Sequence, residues 1–299
     1  MYKISKEDIL KRALSPNASY PRSFLRWAGS KRFLLKHAVD ILPQHYNVYR
    51  EPFLGSGALF FLLQPEKAVL SDACGDLIST FSAVKDNVDA VLNYLKKFDP
   101  SEKTFYAVRK ERSKGHYKYA AEFIYLNKTC WNGLYRVNSE GIFNVPYGRN
   151  KSGVVVDPKN LRACAKSLQS AEISLKVCDF KENLKDAKPG DLVYLDPPYV
   201  TSHNNNGFIS YNENLFSWDD QLKLAEIATE LARKGVHVIV SNADHAEVVN
   251  LYTNFGIKRF HRQSTLASDV KKRRRISEVL FYSTSQVSAN LGPEVVIAS

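Results

Sequence analysis

Three features of the sequence predict an α/β fold: short apolar runs with the length of buried strands, helical stretches between them, and a glycine-rich turn directly after the first core run. Asn47 to Phe53 (NVYREPF) is that run, and it leads into Gly55-Ser56-Gly57 and the helical stretch ALFFLL. Lys67 to Asp72 (KAVLSD) is a second strand. Asp191 to Leu195 (DLVYL) is a third, and it runs into Asp196-Pro197-Pro198-Tyr199. A helix is predicted from about Trp218. Ser217 suits its N-cap, Asp219 and Asp220 suit the positive end of its dipole, and Leu224, Ile227, Ala228 and Leu231 fall on one face. Gly235 ends it. Val236 to Val240 (VHVIV) and Ile276 to Tyr282 (ISEVLFY) read as further strands, the second of them the last.

The stretch from about Thr80 to Ser170 differs. It is rich in Lys, Arg, Tyr and Asn, with hairpin-like turn signals in its middle (NKTCWNGLYRVNSEGIFNVPYGRNKSG). It reads as an inserted, largely helical domain with a basic hairpin. Residues 20–80 and 171–284 then make one discontinuous α/β domain, residues 81–170 the insert, residues 1–19 an N-terminal arm and residues 285–299 a flexible tail.

Composition narrows the function. A chain of 299 residues suits about two compact units, and 44% hydrophobic with 24% charged residues supports a globular core. Lys and Arg number 42 against 31 Asp and Glu, and the net charge of +11 draws a protein toward polyanions, although an ordinary basic enzyme shares that balance. Cys74, Cys130, Cys164 and Cys178 contain no CxxC spacing, so neither a zinc knuckle nor a disulfide framework is indicated, and they read as buried thiols in a reducing compartment. The histidines show no ligand spacing, and no metal is expected. The N-terminal MYKISKEDILKRALSP lacks the apolar centre of a signal peptide, and no apolar run is long enough to span a membrane. A cytoplasmic protein is expected.

Three motifs carry chemistry. In EPFLGSG, residues 51–57, a strand ending in Gly-x-Gly and opening a helix brings backbone close to a ligand, and Asp72 at the end of the next strand can accept hydrogen bonds from ribose hydroxyls. The full GxGxxG is absent, and a tight strand-to-helix turn is the plainer alternative. In DPPY, residues 196–199, two prolines stiffen the backbone and leave carbonyls free to accept. The Asp196 carboxylate and the Pro197 carbonyl can then both accept from one amino group. An aromatic amine delocalises its lone pair and is a poor nucleophile; two fixed acceptors favour a more tetrahedral nitrogen, whose lone pair can meet an electrophilic methyl group. Pro198 completes the rigid turn, and Tyr199 offers a face on which a flipped base can stack. In FLRWAGSK, residues 24–31, Lys31 offers a cation and Trp27 a flat surface.

FLRWAGSK, EPFLGSG and DPPY, in that order and with a basic insert before DPPY, resemble the Dam family of adenine-N6 DNA methyltransferases, the D12 class with the α-type motif order, from about Phe24 to Tyr282. The resemblance implies a Rossmann-like S-adenosylmethionine-dependent methyltransferase fold: a mixed, mostly parallel sheet with helices on both faces, and an inserted, mainly helical DNA-recognition domain carrying a β-hairpin. It implies S-adenosyl-L-methionine as cofactor and double-stranded DNA as partner. It places Trp27, Lys31, Phe53, Gly55, Asp72 and Asp196 at cofactor-contacting positions, with Asp179 and Phe180 as an acidic-aromatic pair against the cofactor adenine. Asp196, Pro197, Pro198 and Tyr199 match the catalytic tetrapeptide.

In the stretch WNGLYRVN…GIFNVPYGR, which resembles the family's recognition hairpin, Trp131 and Asn132 match positions that enter the duplex near the extruded adenine. Leu134, Arg136 and Pro146 match positions that read bases in members acting on GATC, and Asn138 and Arg149 are expected to hold phosphates. The chain departs from the pattern at Arg26, where Lys is usual, and at Asn150, where Tyr is common; both positions are associated with the outer guanine of GATC. Ser30 replaces a second glycine. The cationic run Lys271 to Arg275 falls where the family's DNA-facing loop lies, a solvated loop being its plainer reading, and the polar stretch Thr201 to Ser217 is expected to form either a flap over the base or a plain loop. The expected reaction is methylation of adenine N6 within GATC by a monomer, and a cognate restriction endonuclease acting separately is compatible with it. RNA as substrate, a different DNA target and a non-catalytic DNA-binding relic are the alternatives. Glutamine methylation typically uses Asn, and cytosine-N4 methylation more often Ser, where this chain has Asp196.

Overall fold

The computed structural model describes residues 1–3, 5–14, 20–27, 38–148, 155–170, 172–200, 216–263, 275–284 and 295–297. Ser30, Lys31, Arg149, Asn150, residues 201–215 of the polar stretch and residues 271–274 of the cationic run lie outside them.

Tyr2–Lys3 (β1) pairs antiparallel with His45–Tyr46 (β2). The described residues build one further sheet of eight strands: Tyr49–Glu51 (β3), Lys67–Asp72 (β4), Glu172–Val177 (β5), Leu192–Leu195 (β6), His237–Ala243 (β7), Gly256–Gln263 (β8), Arg275–Tyr282 (β9) and Val295–Ile297 (β10). Their order is β10-β8-β9-β7-β6-β3-β4-β5. From β5 to β7 all neighbours are parallel; β9 then runs antiparallel to both β7 and β8, and β10 runs parallel to β8. The helices are Lys6–Leu14 (α1), Ala58–Leu63 (α2), Gly75–Leu95 (α3), Glu102–Lys110 (α4), His116–Thr129 (α5), Pro158–Gln169 (α6), Phe180–Leu184 (α7), Trp218–Arg233 (α8) and Ala246–Val249 (α9).

Alternation along the central strands explains their unbroken apolar sequence. On β6, Leu192 and Tyr194 join the larger core, whereas Val193 and Leu195 join the smaller one; on β7, Ile239 and Val240 divide the same way. Helices cover both faces, so every position is buried, as parallel strands require. The larger core continues without a break into α3, α5 and α6. The domain boundary expected at residue 80 therefore falls inside a helix: α3 spans residues 75–95 and belongs to both layers. Within the insert, Ser101 caps α4 by accepting from Thr104, Asp157 caps α6 ahead of Pro158, and α5 is buried nearly all round.

The structure corrects four sequence expectations. The strand β8 (GIKRFHRQ) was not anticipated, because charged residues break its apolar alternation; Lys258 points inward and pairs with Asp40 at 2.6 Å. The segment expected to be a flexible tail supplies β10, and β9 is therefore not the last strand. The β-branched Val295 and Val296 suit an edge, pairing opposite Lys258 and Arg259. The expected arm is structured over β1 and over α1, whose Ile9 is buried. Finally, only Cys130 and Cys164 are buried, while Cys74 and Cys178 are half-exposed; all four are free thiols. Burial pushes Cys130 and Cys164 up to about 12, and Cys74 up to about 11.

Candidate active site

The sheet order reverses between β3 and β6: β4 and β5 lie to one side of β3, β6 and β7 to the other. Open α/β sheets bind ligands beyond the carboxyl ends of the strands at such a point. Three carboxylates stand there. Glu51 ends β3, Asp72 ends β4, and Asp196 directly follows β6.

Asp72 ties two turns together. Its Oδ2 accepts from Gly55 N–H (2.9 Å) and its Oδ1 from Cys74 N–H (3.0 Å). Burial raises its carboxyl above the usual range despite these bonds. Gly55 (φ 48°) and Gly57 (φ 64°) take left-handed backbone, and a Cβ on Gly55 would lie 2.9 Å from Trp27 Cδ1. Trp27 in turn stacks on Tyr135 (5.4 Å between centroids) and Phe123 (6.4 Å), rings of the insert. Gly55→Ala should therefore displace the indole and strain the turn, destabilising the fold by roughly 1–2 kcal/mol from left-handed strain. Thermal denaturation checks this, and an unchanged Tm would refute the close fit as a requirement.

Phe53 and Phe180 stack 5.6 Å apart with Phe216 edge-on to both, an apolar wall beside the glycine turn. Asp179 has a duty that its sequence position did not reveal: it caps α7, accepting from Glu182 N–H at 3.0 Å.

Glu51 is a site candidate that sequence reasoning passed over. It is 2% exposed and accepts from the Tyr49 hydroxyl at 2.8 Å. Burial, and behind it the negative charges of Asp196 and Asp72, push its carboxyl well above the usual carboxylate range. Its one local signal is an acid at the end of a buried strand, directly before the glycine turn. In the tetrapeptide, Pro197 is buried, while Asp196, Pro198 and Tyr199 are half-buried. The Tyr199 hydroxyl lies 3.2 Å from Ser241 Oγ and 3.4 Å from Glu278 Oε2.

The recognition stretch forms a short hairpin. Trp131 N–H donates to Pro146 O (2.9 Å), Asn144 N–H to Arg136 O (3.0 Å), and Asn138 N–H to Ile142 O (2.9 Å). Trp131 (44% exposed), Asn132, Arg136, Asn138 and Pro146 are exposed, with Leu134 half-buried. Asn138 also holds the turn, since its Oδ1 accepts from Ile142 N–H (2.8 Å) and Glu140 N–H (3.1 Å). Asn132 sits in left-handed backbone (φ 54°). A cavity of about 380 Å³ joins this end of the hairpin to the first motif, lined by Arg26, Trp27, Ala58, Lys128 and Asn132. Burial, and then the Arg26 charge, lower Lys128 to about 8. A larger cavity of about 450 Å³ opens at the opposite edge beside Gly190 and His237, away from all three motifs. Size alone does not locate the chemistry.

Two asparagines fasten the first motif and the residues just before it to the insert. Asn127 accepts from Arg26 N–H (2.8 Å) and donates to Arg26 O (2.6 Å); Asn160 does the same for Arg22 (2.8 and 2.7 Å). Asp76, four residues after Asp72, accepts from the hydroxyls of Tyr119 (2.5 Å) and Tyr135 (3.0 Å). Tyr135 stands between Leu134 and Arg136, so these contacts join the hairpin to the sheet edge. Among the described residues, no group of His, Cys, Asp or Glu is placed to hold a metal ion, and no helix is long and apolar enough to cross a membrane.

Residues 27–266 match the family of D12 class N6 adenine-specific DNA methyltransferases. The chain is 35% identical over 275 residues to the Type II methyltransferase M1.LlaDCHI of Lactococcus lactis subsp. cremoris, covering 89% of this chain and 97% of that one. It is 31% identical over 278 residues to the DNA adenine methylase of Haemophilus influenzae (90% and 96% covered) and 30% identical over 266 residues to that of Escherichia coli K12 (87% and 94% covered). With the family match spanning most of the chain, and with relatives of 30% identity or more aligned over nearly all of it, the protein belongs to the D12 class of N6 adenine-specific DNA methyltransferases.

Proposed function

We propose that this enzyme transfers a methyl group from S-adenosyl-L-methionine to N6 of an adenine extruded from double-stranded DNA, within GATC. The observation that carries the reading is the position of Asp196 and the rigid Pro197-Pro198 turn at the point where the strand order reverses, one strand away from the glycine turn. The residues there suit the cofactor. Glu51, Asp72 and Asp196 supply acceptors for ribose hydroxyls and for cationic centres, and Phe53, Phe180 and Phe216 supply apolar cover for an adenine ring. Trp27, Gly55 and Asp179 complete that set, with Lys31 joining it by sequence position. When bound, the cofactor supplies an electrophilic methyl group.

The Asp196 carboxylate and the Pro197 carbonyl accept the two N–H bonds of the adenine amine and hold its lone pair out of conjugation. The proton that the nitrogen sheds is then already hydrogen-bonded to a carboxylate. Tyr199 stacks on the base and holds it in line. Trp131 and Asn132 fill the gap that the base leaves, and Leu134, Arg136 and Pro146 read base edges. Arg26 reads the outer guanine, while Asn138 and Arg149 hold phosphates.

Mapping N6-methyladenine across the genome of a host that lacks adenine methylases tests this. Methylation confined to GATC supports the full reading. Methylation at ATC with any preceding base retains the chemistry and shows that Arg26 and Asn150 no longer select the first guanine. Methylation at unrelated sites refutes the target.

A further inference from the structure

We propose that Glu278, together with Ser241, is a positioning residue for the reaction: the pair grips the Tyr199 hydroxyl and so fixes the ring face on which the target base stacks. The inference rests on the assignment of Tyr199 as that face. Ser241 lies on β7 and Glu278 on β9. The antiparallel register sets Ala243 opposite Glu278 and Ser241 opposite Leu280, so Ser241 and Glu278 are diagonal neighbours on one face of the sheet. Both are sealed from solvent, at 0% and 1% exposure. Their oxygens meet the Tyr199 hydroxyl at 3.2 and 3.4 Å.

A carboxylate at such a depth is costly unless it is hydrogen-bonded. The phenol is suited to the role. Burial first, then the charges of Asp196 and Glu278, push its ionisation well above the ordinary tyrosine value, so it keeps its proton and donates to Glu278. The hydroxyl then accepts from Ser241. Two neighbouring strands, β7 and β9, therefore hold the tyrosine at its hydroxyl. A ring fixed only at its Cβ swings about two side-chain torsions; a ring fixed at both ends presents a single plane. Because small displacements of a reacting group lower rate steeply, the grip acts on turnover and not on cofactor binding.

The experiment measures turnover, with labelled cofactor, on genomic DNA free of N6-methyladenine, so no target sequence need be assumed. The variants are Tyr199→Phe, Glu278→Gln, Ser241→Ala and the double variant Tyr199→Phe/Glu278→Gln. Each single change is expected to lower kcat about tenfold with KM for the cofactor within about twofold. The double variant should be no slower than Tyr199→Phe alone, because Glu278 acts through the hydroxyl that Phe removes. Multiplying effects in the double variant would mean a role independent of Tyr199 and overturn the proposal, as would wild-type turnover in Tyr199→Phe or Glu278→Gln. If Glu278→Gln fails to fold, Tyr199→Phe/Ser241→Ala reads the same coupling. Methylation retained by Asp196→Ala would instead overturn the tetrapeptide reading itself.

Discussion

Alanine at position 196 is expected to lower methylation at least about a thousandfold while duplex affinity stays within a few-fold of wild type. Removing one preorganised acceptor at a developing charge costs about 10²–10³ in rate, and here the same change also takes away the group nearest the departing proton. The proposal places duplex affinity elsewhere, on the exposed hairpin and on phosphate contacts whose free energy is mainly electrostatic. Asp196→Asn separates shape from charge. Its amide oxygen still accepts, but its NH2 opposes the adenine amine, so a loss between wild type and alanine is expected. Transfer of labelled methyl groups and fluorescence anisotropy of a duplex measure the two quantities. If Asp196→Ala methylates within about tenfold of wild type, the assigned role fails. A second consequence follows at Glu51. The Asp196 charge helps to hold the Glu51 carboxyl high, so its removal should let Glu51 ionise at lower pH, visible as an acid-side shift in the pH dependence of cofactor affinity.

Sequence features revealed parts of this architecture very unevenly, and the unevenness has a physical cause. The strand Lys67–Asp72 was readable to the residue, and so was the helix start at Trp218, where Ser217 and Asp220 form a reciprocal capping box. Those signals are local: alternation, caps and glycine turns act within a few residues. The contacts that assemble the site are not. Asn127 grips a backbone segment 101 residues away, Asn160 one 138 residues away, and Glu278 meets Tyr199 across 79 residues. Nothing near these polar residues distinguishes them from surface ones. The hairpin residue Asn138 shows the converse case. The expectation that it holds a phosphate left out a turn-forming role, because one amide side chain can serve its own backbone with its oxygen and a ligand with its nitrogen. Resemblance assigned the chemistry to these positions, while the fold explains how they are held.

The second large effect concerns stability. Breaking the Arg50–Asp191 pair by Asp191→Ala is expected to cost about 3–5 kcal/mol, as loss of one partner of a buried ion pair does. Both residues are almost sealed, at 7% and 2% exposure, and Arg50 Nε meets Asp191 Oδ2 at 3.0 Å. The guanidinium also donates to Asn183 O and Asp186 O (both 2.9 Å), and the carboxylate accepts from Val48 N–H (3.2 Å) and Lys188 N–H (3.1 Å). Alanine at 191 strands a cation and two amides at once. Against a typical stability of about 5–15 kcal/mol this is a large share, equivalent to a fall in Tm of about 10 °C in a chain of this size. The double variant Arg50→Met/Asp191→Leu removes both charges and should recover much of the loss, since the cost of a half-broken pair is the uncompensated charge and not the missing attraction. Arg50 points away from Glu51 because side chains alternate along β3, so the double variant should keep near-normal turnover at low temperature. Asp191→Ala also frees the Arg50 side chain that anchors α7, which carries Phe180. Added cofactor should therefore raise the Tm of Asp191→Ala less than that of wild type. Thermal denaturation with and without cofactor reads both effects, and equal Tm values for the two proteins would show that the pair does not hold this end of the sheet.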